Sequence, residues 1–287
     1  MKNTDRADNF EDLSGQFSVS YTESAEAPRK NYHIHDAYEV TLVLSDGVVL
    51  DVNDESYPVP YGSLLLFNTV DLHRIRYTGG DVYRRWVIWF KHGFLRESEQ
   101  TVCGLLRCFF ARGFERACLL TPPPERVAEL CAAYQKIKDT ANTHSYMQSE
   151  LLSLVLAQFL IEVNDLYLKT HQLQGNTEDA ASSAVYRAIL YIGENFAKDV
   201  SRTTLARMLG MTERRLCDEF RRVTGQTTAQ YILSVRIAAA CAFLIRGMSV
   251  TEVCEKTGFE NWSNFSRTFR HHVGMSPKQY AMHNRQI

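Results

Sequence analysis

The stretch GFENWSNFSRTFRHHVGMSPKQY, Gly258 to Tyr280, decides how this chain is read, because a looser version of it stands 48 residues earlier as GMTERRLCDEFRRVTGQTTAQY, Gly210 to Tyr231. Leu205-Ala206 matches Val253-Cys254, and Gly210 matches Gly258. After one extra residue, Leu216 matches Phe265, Phe220 matches Phe269, Arg221 matches Arg270, Gly225 matches Gly274, Thr227 matches Ser276 and Tyr231 matches Tyr280. Each unit reads as a short helix, a glycine turn and a second helix with apolar residues four apart, the layout of a helix-turn-helix. Plain amphipathic core helices would explain the period but not the repetition.

Helical geometry sorts the residues of each second helix. With Leu216 and Phe220 inward, a step of about 100° per residue turns Arg214, Asp218, Arg221 and Arg222 outward and leaves Arg215 at the edge. In the other copy Phe265 and Phe269 turn inward, so that Ser263, Arg267, Arg270 and His271 face out, with Asn264 at the edge. These residue types hydrogen-bond base edges and phosphates. The intervening TTAQYILSVRIAAACAFLIRG supplies about 18 helical residues, or roughly 27 Å of spacer. Together with the widths of the two units, it can reach the ~34 Å between successive major grooves on one side of B-DNA.

Outward from this core, Ser249-x-x-Glu252 forms a capping box and Ser276-Pro277 places a cap before a first-turn proline. Upstream, Val185, Ile189, Ile192 and Phe196 mark one helical stripe, and the polar THQLQGNTEDAASS before it reads as a linker over 171–182. A long helix is expected from Ser145 to Thr170, apolar nearly all round between Leu151 and Val163 and so buried on more than one side. Two arrangements satisfy it: packing between the β-domain and a second copy of the chain, or a central place in one monomeric core. PERVAELCAAYQKIKDT is a further helix whose prolines suit a first turn. The first third reads as strands. YEVTLVLSDGVVLDV, Tyr38 to Val52, carries the signal of a hairpin turning at Asp46-Gly47, and SLLLFN, HRIRYTGG and YRRWVIWF follow at short spacing, as in a small barrel or sandwich.

Composition sets outer bounds. The 287 residues, 45% hydrophobic and 23% charged, suit two globular domains. The net charge of −1 divides sharply: residues 182–287 hold 15 Lys+Arg against 8 Asp+Glu, and residues 1–181 hold 17 against 25. One half is built to meet an anion. No apolar run approaches the ~18 residues of a membrane span, and the polar, acidic start lacks the layout of a secretory signal. Seven cysteines with no C-x-x-C pair read as reduced thiols of a cytoplasmic protein. No nucleophile triad, phosphate-binding glycine loop or zinc-finger spacing is present.

The Gly258–Tyr280 stretch, with G-F, S-x-F-x-R-x-F, G-x-S-P and the final Tyr in register, resembles the signature of the AraC/XylS family of bacterial transcription regulators over roughly the last 100 residues. The resemblance implies Ser263, Asn264 and Arg267 in a DNA groove and Ser276 and Lys278 near phosphates. The first unit departs from the pattern: Asp218, followed by Glu219, stands where the family often carries Arg, leaving Arg214 and Arg215 to supply positive charge. In the amino-terminal half, His33-x-His35-x-x-x-Glu39, then Gly47, Gly62 and His73, resembles the spacing of cupin barrels, although Asn68 and Val70 stand where cupins favour Pro and Gly. That resemblance implies a barrel in which His33, His35, Glu39 and His73 line a polar effector pocket or form a structural hydrogen-bond network, while the strand aromatics Tyr38, Tyr77 and Trp86 either join the lining or belong to the core. Such a barrel would bind a small-molecule effector, a sugar or related carbohydrate, with aromatic faces for stacking. No cofactor is expected; were a divalent metal held, its ligands would be His33, His35, Glu39 and His73.

The expected fold class is therefore α+β: an amino-terminal cupin-like β-barrel with a helical dimerisation segment, then an all-α domain of two helix-turn-helix units joined by a long helix. Expected boundaries are an acidic arm at 1–15, the barrel at 16–95, the helical packing region at 96–170 and the DNA-binding domain at 183–287. The expected function is a sequence-specific transcription regulator, in the usual outcome of the family an activator. Its expected partners are double-stranded DNA, an effector, a second copy and RNA polymerase. The rival reading is a metal-dependent cupin enzyme with an accessory helical domain.

Overall fold

The computed structural model describes residues 16–25, 33–34, 36–52, 55–79, 82–110, 118–171, 180–198 and 200–285. The acidic arm at 1–15 lies outside them. Among these residues eight strands come first: β1 (Phe17–Ser24), β2 (Tyr38–Val43), β3 (Val48–Val52), β4 (Glu55–Val59), β5 (Leu64–Phe67), β6 (His73–Tyr77), β7 (Tyr83–Phe90) and, after two short helices, β8 (Leu119–Leu120). They form an antiparallel five-stranded sheet, β1-β7-β2-β5-β8, and a three-stranded sheet, β4-β3-β6. The inner faces share one core in which Val43, Leu65, Phe67 and Tyr83 of the first sheet meet Leu50, Val52 and Ile75 of the second.

The Asp46-Gly47 turn corrects the hairpin expectation. β2 pairs with β5 and β7, whereas β3 pairs with β4 and β6. The turn carries the chain from one sheet to the other. Gly47 has φ +76°, and a Cβ there would lie 2.8 Å from the Gly79 nitrogen, so the crossing requires glycine.

The outer face of the five-stranded sheet is covered by helices: α1 (Glu99–Leu105), α2 (Arg107–Phe110), α3 (Arg126–Asn142) and α4 (Gln148–Thr170). Tyr38, Val40, Leu42, Trp86, Ile88 and Phe90 meet Tyr134, Ile137, Leu156 and Phe159 there. Buried Asn164 ties α4 to the shorter helices, donating to the Leu105 carbonyl at 2.8 Å and accepting from the Cys108 amide at 3.0 Å. The opposite side of α4 leaves Leu151, Leu154 and Ile161 exposed.

The carboxy-terminal part is α5 (Ala180–Asn195), α6 (Arg202–Met208), α7 (Glu213–Thr224), α8 (Thr228–Ile245), α9 (Val250–Lys256), α10 (Trp262–Val273) and α11 (Pro277–Arg285). The last residues of the expected linker thus already belong to α5; 172–179 lie outside the described residues. Val185, Ile189 and Ile192 of α5 join Leu205, Leu216 and Phe220 in the same core as the barrel-side helices. The second unit has its own core around Cys241, Leu244, Phe265 and Phe269, into which Ile34 of the barrel domain also packs. Against the expectation of no such run, α4 and α8 are each long and apolar enough to cross a membrane, with mean hydropathy 1.6 in both. Half of each such stretch is buried in the fold, as a helix shared between packed layers must be.

Candidate nucleic-acid interface and effector chamber

Each helix-turn-helix is assembled from caps, a left-handed glycine and an aromatic core. In the first, the Thr212 hydroxyl accepts from the Arg215 amide and starts α7 after Gly210, whose φ is +64°. Leu216 and Phe220 are fully buried, and Phe220 meets Tyr231 edge-on at 5.4 Å. Arg214, Arg215, Asp218, Arg221 and Arg222 are all exposed. The acids are not idle: Asp218 lies 3.9 Å from Arg214, and Glu219 pairs with Arg222 at 2.7 Å. Two of the four arginines are therefore already beside a carboxylate.

The second unit has no such conflict. Asn261 caps α10 by accepting from the Asn264 amide at 2.8 Å. Phe259, Phe265, Phe269 and Tyr280 form a continuous aromatic series with centroids 5.1 to 5.7 Å apart. Ser263, Asn264, Arg267, Arg270 and His271 stand exposed on the other side. α10 contains no acidic residue, and among the described residues neither Arg267 nor Arg270 makes an ion pair. Asn264 accepts from Arg267 at 3.4 Å, which holds the two in one row. Ser276 is half-buried and its hydroxyl is used as the α11 cap, bonded to Gln279, while Lys278 is exposed. Sequence reasoning missed Trp262. It opens α10 with 57% of its surface exposed, and its position just after the Asn261 cap was the available signal.

α8 joins the units as one 18-residue helix, about 27 Å long. Thr227 and Gln230 close a capping box at its start, and its buried residues serve both cores. Cys241 lies inside it, its thiol pushed up to about 12 by burial, so it is inert packing.

In the barrel, the two-residue alternation of strands separates the expected effector residues. Glu39, Thr41, Tyr83, Arg85 and Trp89 point between the sheets, whereas Tyr38 and Trp86 point the other way, into the helical layer. Tyr38 packs on Phe90, Phe109 and Phe110, and Trp86 on Tyr21 and Tyr134. These two therefore do not line the barrel. Inside, Glu39 is buried and accepts from Trp89 Nε1 and Thr41 Oγ1, each at 2.7 Å. His33 and His73 exchange backbone hydrogen bonds, with rings 4.3 Å apart. His73 stacks on Phe67 at 3.6 Å, with Nδ1 3.0 Å from the Asp71 carbonyl. Tyr77 stacks on Tyr83 at 5.3 Å. His35 lies outside the described residues, among which no three His, Cys, Asp or Glu side chains gather as a metal group. Sequence reasoning also missed Arg85, which is 7% exposed, and Tyr83, whose phenol burial pushes up to about 12.

The two halves meet at a cavity of about 270 Å³. Phe196, Val235, Ala242 and Phe243 give it an apolar wall, and Tyr38 reaches it from the barrel side. Its charge is a shared carboxylate: Asp36 accepts from Lys91 at 3.1 Å and from Arg246, at the end of α8, at 3.2 Å. His92 and Glu194, 3.1 Å apart, and Arg187 and Glu99, also 3.1 Å apart, add further links between the halves.

With this geometry in view, residues 18–160 match the family described as the AraC-like ligand binding domain, and residues 205–283 match a helix-turn-helix domain family. The chain is 25% identical over 155 residues to the HTH-type transcriptional activator RhaS of Escherichia coli, covering 54% of this chain and 52% of that one. It is 23% identical over 260 residues to the HTH-type transcriptional activator RhaR of Enterobacter sp., covering 88% and 87%. The chain spans about half the length of the curated relatives it matches first. In fold it is similar to ToxT from Vibrio cholerae, at a TM-score of 0.58 and 16% identity over 93% of this chain and 98% of that one. ToxT has also been solved bound to an unsaturated fatty acid.

Proposed function

The chain belongs to the AraC family of helix-turn-helix transcription regulators, and from that premise we propose that it binds a defined DNA segment through α7 and α10 and answers to a small-molecule effector in its barrel. The observation that carries the reading is the pair of outward polar rows, joined by α8 as a single spacer. α10 makes the base contacts, through Ser263, Asn264 and Arg267, with Trp262 set against thymine methyls and Arg270, His271 and Lys278 toward phosphates. α7 contributes Arg214, Arg215 and Arg221 to the adjacent groove, and Asp218 accepts from a cytosine amine. Two copies join through the exposed Leu151, Leu154 and Ile161 row of α4. The outcome is activation, as the names of RhaS and RhaR support, through contact with RNA polymerase in the cytoplasm.

Selecting bound sequences from a random DNA pool tests this. The expected product is a site spanning two adjacent major-groove segments per subunit. Uniform, sequence-independent binding overturns it. The cupin-enzyme reading on His33, His35, Glu39 and His73 has no comparable support, since the matched families are regulators. A second effector reading draws on the apolar wall of the interdomain cavity and on the fatty-acid-bound relative: an acyl chain seated there, its carboxylate taking one of the two cations that share Asp36. Oleate titration followed by DNA affinity separates it from an effector inside the barrel.

A further inference from the structure

We propose that the barrel interior recognises a small hydroxylated carboxylic acid, of the sugar-acid class, whose carboxylate pairs with Arg85. The inference deepens the reading of the barrel as the effector domain and rests on it. Arg85 sits inside β7, between Tyr83 and Val87 on the face that looks toward the other sheet. It is 7% exposed, its Nη1 is buried without a hydrogen-bond partner, and among the described residues it makes no ion pair. A guanidinium cannot shed its proton, so a buried one without an anion is costly to keep. Another buried charge is paired thoroughly: on the outward face of β3, Asp51 is held by both Arg74 and Arg76.

Two more polar groups flank Arg85. Thr22, its partner in register on β1, has a buried Oγ1 with no hydrogen bond, and the guanidinium lies over the ring of the buried Tyr83, 4.7 Å from its centroid. A cation beside two hydroxyls is the donor set that a carboxylate requires. Farther along the same face the chemistry reverses. Glu39, held by Trp89 and Thr41, presents negative charge, and it complements hydroxyl donors. Trp89 is four residues from Arg85, about 13 Å of strand, which the long side chains shorten from both ends. The stacked Tyr77 and Tyr83 offer a flat surface beside this axis. A ligand with an anion at one end and hydroxyls at the other complements this pattern of charge, and a neutral sugar of equal size gives Arg85 no anion.

Thermal unfolding of the full chain tests this with galacturonate, glucuronate and gluconate, each against galactose, glucose and sorbitol, alongside DNA binding of the same wild-type preparation. The expected result is a concentration-dependent rise in Tm with at least one acid and none with the neutral compounds. Arg85→Met should raise the ligand-free Tm and abolish the acid response. Arg85→Lys, which keeps the charge but not the fork, should weaken the response at least tenfold in half-saturating concentration. Equal shifts with acids and neutral sugars, a response surviving in Arg85→Met, or no shift with any acid each overturn the inference. Wild-type protein that binds DNA but ignores all three acids overturns this inference alone. Protein that responds to acid but selects no DNA overturns the regulator reading instead.

Discussion

Arg246, at the end of the spacer helix α8, lies 3.2 Å from Asp36 at the edge of the barrel domain. The same carboxylate oxygen holds Lys91 at 3.1 Å. One acid thus neutralises a cation from each half of the molecule and joins the effector domain to the element that spaces the two recognition helices. The groups are partly exposed, so the bond contributes under about 1 kcal/mol to stability. Its removal should still be felt, because Asp36→Ala leaves two cations facing each other. The expected outcome is little change in Tm but a reduced effector-dependent shift in DNA affinity, read by fluorescence anisotropy with and without effector. A full effector response in Asp36→Ala dismisses the contact as a coupling element.

The two recognition helices should respond oppositely to charge removal. Arg267→Ala is expected to weaken DNA binding by about 1–3 kcal/mol and to relax specificity at one position. Asp218→Asn keeps an oxygen to accept from the cytosine amine but frees Arg214 from its carboxylate, and should strengthen binding, steepening the salt dependence by about one phosphate contact. Anisotropy across a salt series measures both.

Trp262 supplies a separate readout. Its fluorescence should change on binding the selected site, and replacing thymine by uracil at the contacted step should weaken the wild-type complex. Trp262→Ala should be insensitive to the same replacement.

The apolar row on α4 predicts an oligomer. Leu154, 58% exposed, can be changed to Glu with an effect on monomer stability within about 0.5 kcal/mol. Sedimentation should show a dimer for the wild-type chain and a monomer for Leu154→Glu. A wild-type monomer at high concentration removes the dimer from the proposal.

Asp51 sets the behaviour in acid. Hydrogen bonds from Arg76, with Ser56 and Arg74, hold its carboxyl well below the usual carboxylate range despite burial. A depressed folded-state value means its stabilisation is complete above the unfolded value near 4 and is lost as pH falls below that toward the folded value. Asp51→Asn should cost about 1–3 kcal/mol at pH 7 and flatten the stability profile below pH 4, followed by urea unfolding across pH.

The helical half was largely legible in the sequence, because a 3.6-residue period binds each side chain to one face. Once Phe265 and Phe269 are placed inside, Arg267 has nowhere to go but out. The sheets were less legible. Asp46-Gly47 has every local mark of a hairpin, and only tertiary partners send β2 and β3 to different sheets. Tyr38 and Trp86 read as barrel lining because they are aromatic, yet the helical layer on the far side of the sheet claims them. Arg85 was overlooked because a strand arginine reads as surface. The clue was the adjacent pair Arg84-Arg85: in a strand buried on both faces, two neighbouring side chains cannot both reach solvent.

The continuous helix α8 has a consequence for the DNA as well as for the protein. Two reading heads mounted on one stiff rod cannot adjust their phase, so the distance between half-sites is a property of the polypeptide. An operator that gained or lost a few base pairs at its centre would rotate half its text out of reach, and only a change in the length of the rod could follow it.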